Sequence, residues 1–155
     1  MHSETIAIQQ LIGNPVLFIG LFAWGMAQFL KVPIEYILYR RLNWGLWFSS
    51  GGMPSSHSAL VTSITLSIGL FYGFDSPIFA LAFAMAMIVI YDAAGVRREA
   101  GRHAEKINIL INEFLSGHPI SDKQLKEVIG HTPAQVMAGT ALGLGTALLF
   151  FISWR

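Results

Sequence analysis

The stretch Gly51-Gly52-Met53-Pro54-Ser55-Ser56-His57-Ser58-Ala59-Leu60 crowds two glycines, a proline, three hydroxyls and one imidazole into the entrance of an apolar run that begins at Ala59. If Pro54 or Ser55 opens a helix there, the first-turn NH groups and the positive end of the helix dipole point back toward the polar residues and form an anion site. Ser55 and Ser56 would add hydroxyl donors. A plainer reading stands beside it, with Ser55 as an N-cap and His57 as an interfacial histidine.

Outward from this stretch the chain reads as a membrane protein. Of its 155 residues, 54% are hydrophobic and only 12% charged, and the mean hydropathy is +0.55, whereas soluble domains carry about a quarter charged residues. A net charge of +1 gives no basic field of the kind nucleic-acid binders show. The lack of cysteine excludes disulfides and thiolate metal sites. No cleavable signal peptide is expected, since the first ten residues contain neither Lys nor Arg. The length suits a single domain, residues 1–155.

The expected fold is all-α, a polytopic membrane bundle of about four spans plus an amphipathic interfacial helix. The first apolar run starts at Pro15 and has Gln28 as its one strongly polar side chain before Lys31. It is near the lower length limit for a span, so it is expected to continue past Pro33 to Leu38, anchored by Tyr36, Tyr39, Arg40 and Arg41. Residues 42–53, with Trp44 and Trp47, read as an interfacial or re-entrant stretch. Further spans are expected at about 58–72, 78–91 and 133–154, the last with Gly139 and Gly143 four apart. The Met and Phe residues of 79–87 read as core or lipid-facing, not as a cofactor box. Ile107, Leu110, Ile111 and Phe114 form one apolar stripe at helical spacing, while Arg98, Arg102 and Lys106 follow at i+4 on another face. Residues 4–12 suit a short interfacial helix, and Ser121 and Asp122 offer caps for a helix toward Val128.

With four spans, the connections 31–57 and 92–132 fall on one side. Nine of the ten basic residues lie there, leaving Arg155 opposite, so the positive-inside rule makes that side cytoplasmic. His57, Asp92, Arg97, Arg98 and His131 then share one membrane face. Two imidazoles among fixed cations suit a phosphate on a lipid-soluble carrier, with one histidine as nucleophile and the other as acid. Plainer roles stay open. Arg97 and Arg98 can anchor a span, Arg102 and Lys106 can rest on anionic lipid, Lys31 can snorkel, and Asp92 can pair with an arginine.

Pro54-Ser55-Ser56-His57 resembles the Pro-Ser-Gly-His signature of the type 2 phosphatidic acid phosphatase and vanadium haloperoxidase superfamily. His131-Thr132-Pro133-Ala134-Gln135-Val136-Met137-Ala138-Gly139 resembles its final signature, His-x-Pro-x-Asp-Val-x-x-Gly. With Asp92-Ala93-Ala94-Gly95-Val96-Arg97-Arg98, the chain from about 20 to 150 is similar to the small divergent branch found in bacteria and plastids. The resemblance implies a lipid-phosphate phosphatase of a bacterial inner or plasma membrane, or of a plastid membrane, with no metal or other cofactor. It implies His131 as the nucleophile that takes the phosphoryl group and His57 as the acid that protonates the leaving oxygen. Lys31, Ser55 and the amide at Ser56 match phosphate ligands.

Three positions depart from that pattern. Leu125 stands where the superfamily has an arginine six residues before the nucleophile, which leaves Arg97 and Arg98 as the candidate cations. Leu38 stands where an Arg-Pro follows the lysine, with Arg40 and Arg41 slightly later. Gln135 replaces the acidic residue that orients the nucleophilic histidine; its oxygen can fix a tautomer but supplies no charge. Either Asp92 takes over, or activity is reduced, or the protein binds anionic lipid headgroups or a partner without turnover. Since larger members have a six-helix core, a homodimer could complete the bundle, with Gly139 and Gly143 as one contact.

Overall fold

The computed structural model describes residues 6, 9–95, 103, 106–111, 114 and 131–154, with no strand among them. Four long helices follow in order: α1, Pro15–Tyr39; α2, Ser56–Tyr72; α3, Pro77–Ala94; and α4, Pro133–Ser153. A 3-10 helix, Trp44–Phe48, sits between α1 and α2. The starts are encoded locally. Asn14, Ser55, Ser76 and Thr132 each accept a first-turn NH through the side chain, and Pro15, Pro77 and Pro133 occupy positions where no NH is needed. As expected, α1 runs on through Pro33.

The second helix is the hub, packing against each of the other three. It is also the most polar, burying Ser56, Ser58, Thr62, Ser63, Thr65 and Ser67. Small side chains let its neighbours approach, and the hydroxyls of Thr62, Ser63 and Thr65 bond to main-chain carbonyls. Thr62 Oγ1 donates to the Ser58 carbonyl at 2.6 Å and Thr65 Oγ1 to that of Val61 at 2.7 Å. Thr65 also reaches the Ala82 carbonyl of α3 at 3.2 Å. Where water is absent, this is how a hydroxyl must be satisfied.

Gly139 and Gly143 are where α4 meets α2. A Cβ at Gly139 would strike the Ser55 carbonyl, and one at Gly143 would strike Thr62 Oγ1 and the Ala59 carbonyl. The close approach expected of this pair is therefore made within the chain. The assignment of these glycines to a contact with a second copy is corrected: both are buried against α2.

The distribution of side chains is the reverse of a soluble protein. The centre is small, with Ala23, Ala27 and Ala59 against Leu142, while Phe18, Leu21, Phe29, Ile78, Leu81, Ile88 and Leu149 face outward. So large an apolar exterior requires lipid around it. Two helices, α1 and α4, are long and apolar enough to cross a membrane, and α3 is apolar over a shorter length. The 17 residues of α2 extend about 26 Å, against roughly 30 Å of hydrocarbon. Aromatic clusters mark both ends of the bundle: Phe18 packs on Phe150 and Trp154, and Phe71 on Trp154, at one, and Phe29 and Trp44 pack on Trp47 at the other. Such belts suit the two membrane interfaces.

Residues 103, 106–111 and 114 are helical, and the stripe Ile107, Leu110, Ile111 and Phe114 is exposed. The remainder of that amphipathic segment, including Arg97, Arg98 and Arg102, and the caps at Ser121 and Asp122 lie outside the described residues.

Candidate active site

The up-and-down order of the helices brings the starts of α2 and α4 to the same end as the finish of α3. A direct clasp joins the two starts: the Ser55 NH donates to the Gln135 carbonyl at 3.0 Å. His57, the second residue of α2, and His131, one residue before the α4 cap, are carried with it. Asp92 arrives on the last turn of α3. These three side chains, with Ile88, Val89 and Ala93, line one cavity of about 230 Å3. His131 is buried, and His57 and Asp92 are partly so.

Two helices and the residue that leads into a third thus contribute one titratable group each to a space with apolar walls. A pair of imidazoles can divide the roles of nucleophile and proton donor, and a carboxylate can hold an imidazole tautomer and stabilise its cation. Apolar walls lower the local dielectric and strengthen each of these interactions.

Other expected site residues are placed differently. Lys31 is fully buried and donates to the Ser49 carbonyl at 2.7 Å. Beside it, Gln28 Nε2 donates to the carbonyls of Trp47 at 2.7 Å and Ser49 at 3.2 Å. Together they grip the loop that leads to Pro54. Ser55 is buried and acts as the N-cap of α2; its Oγ accepts the Ser58 NH at 3.4 Å and the Ser58 hydroxyl at 3.0 Å. Ser56 is buried in the first turn of α2. Lys31, Ser55 and Ser56 do not line the cavity of the two histidines. Arg97 and Arg98 lie outside the described residues.

Gln135 is part of a reciprocal capping box. Its Oε1 accepts the Thr132 NH at 3.0 Å, and Thr132 Oγ1 accepts the Gln135 NH at 3.4 Å. The grip of Gln28 on the loop is the contribution that sequence reasoning missed. Its signal was a lone amide in an apolar span, where a polar group has to find a partner.

An all-helical membrane bundle with two histidines and an aspartate gathered at one end defines the class. The chain belongs to the Divergent PAP2 family, which it matches over residues 12–146. It is 40% identical over 146 residues to the uncharacterized membrane protein YuiD of Bacillus subtilis (strain 168), an alignment covering 87% of this chain and 92% of that protein. No solved structure matches it.

Proposed function

We propose that the protein is a lipid-phosphate phosphatase working through a phosphohistidine, with α2 and α3 crossing the bilayer beside α1 and α4 and the site facing the cytoplasm. The observation that supports this reading is the convergence of His57, Asp92 and His131 on one cavity from distant parts of the chain. A ring nitrogen of His131 attacks phosphorus as the bond from phosphorus to the lipid oxygen breaks, and the His57 imidazolium gives its proton to that oxygen. The lipid alcohol leaves. Water then attacks the phosphohistidine, passing a proton to His57; the nitrogen–phosphorus bond breaks, phosphate departs, and both histidines are restored. Asp92 stabilises the cationic imidazole. Arg97 and Arg98, which follow it in sequence, neutralise the phosphate together with the first-turn amides of α2. Lys31, with two ammonium hydrogens beyond the one given to Ser49, and the serines at 55 and 56 support the same end.

The test is a screen of phosphate release across lipid phosphates with chelator present. Wild-type protein is expected to release phosphate and His131→Ala to release none; undiminished release by the variant overturns the assigned roles. Gln135 favours a second reading, in which the site binds anionic headgroups without turnover, because no carboxylate stands at that position.

A further inference from the structure

A second cavity, of about 290 Å3, lies along α2, α3 and α4, where Leu66, Phe79, Phe83, Met87, Ile90 and Leu144 form much of its wall. α3 and α4 meet each other only sparsely, so the space between them opens sideways. The lining surface is wholly apolar; the hydroxyls of Thr62 and Thr65, which border it, are turned to main-chain carbonyls. Such a wall repels a headgroup and accepts hydrocarbon.

This groove and the cavity of the histidines share α3 as a wall. Along α3, Ala86, Ile90 and Ala93 follow one another at i, i+4 and i+7; the first two line the groove and the third lines the cavity of the histidines. The α3 wall from Phe79 to Ile90 is about 16 Å long and ends within a turn of Asp92. Resting on the phosphatase reading, we infer that the groove holds the hydrocarbon chain of the substrate, while its phosphate lies among His57, Asp92 and His131. About 290 Å3 along that length gives room for one extended chain. The substrate class is therefore a phosphate monoester recognised through a single long chain.

The experiment compares kcat/KM for hexadecyl phosphate and for 4-nitrophenyl phosphate in wild type and Met87→Trp. Met87 is more than half exposed at the groove, so the larger ring fills the groove without entering the core. The ratio of long-chain to short-substrate efficiency is expected to fall roughly tenfold, the effect of displacing about two buried methylenes; an unchanged ratio overturns the groove assignment. Should wild type turn over neither substrate nor any lipid phosphate of the screen, the phosphatase reading fails. The groove is then tested by photocrosslinking with an alkyl phosphate carrying a mid-chain diazirine. Adducts concentrated on Phe79, Phe83, Met87 and Leu144 uphold it. Adducts spread evenly over the outward faces of α1 and α4 overturn it.

Discussion

Gln135 holds the position from which a carboxylate would act on His131, yet its side-chain oxygen is engaged by the Thr132 NH at 3.0 Å. A glutamate forms the same capping box, so Gln135→Glu should keep the fold and leave kcat within roughly twofold. A large rise in phosphate release would instead mark the native protein as impaired and favour binding without turnover. The carboxylate at the cavity is Asp92, and Asp92→Asn should lower kcat by about 10²- to 10⁴-fold, measured on protein with an unchanged melting profile. That His57, Asp92 and His131 gather at one end of the bundle was legible in sequence because each stands at a helix end on the same side of an up-and-down order of helices. The partners of Lys31, Ser55 and Gln135 were not. Those depend on which loop a buried ammonium meets and on which NH an amide oxygen reaches, and packing decides both.

At the level of elements, the clasp between α2 and α4 brings the segments of His57 and His131 together. The Ser55–Gln135 hydrogen bond forms only because Gly139 leaves room for the Ser55 carbonyl. Gly139→Ala should cost about 1–3 kcal/mol through overpacking, lowering both the thermal midpoint in detergent and kcat, since His57 and His131 are carried on the parted segments. Gly145→Ala is the control: a Cβ there meets nothing within 4 Å, and alanine is the better helix former, so stability should hold or rise. Helix starts were readable because caps and first-turn prolines are local chemistry. The hub position of α2 was not, because a small-residue spacing announces close approach without naming the helix approached. Gly139 and Gly143 suited a second copy until α2 was found against them.

On the scale of the whole molecule, a small, polar interior lies inside a large apolar exterior; composition had pointed to a membrane protein, but not to what fills its centre. The number of crossings was harder to read, since α2 spends much of its length on serine and threonine and so falls short in apolar character while lying deepest in the bundle. With no native cysteine, the topology can be mapped by single replacements. Asp75→Cys, in the turn between α2 and α3, should react with an impermeant maleimide on intact cells, and Leu42→Cys only after permeabilisation; the reverse pattern would put the site outside. The central claim is that His131 carries the phosphoryl group. It is tested most directly by quenching protein with ³²P-labelled hexadecyl phosphate and mapping the label. An acid-labile, base-stable adduct on His131, absent from His131→Ala, is the predicted result; phosphate turnover with no label on His131, or with label on another residue, would contradict it.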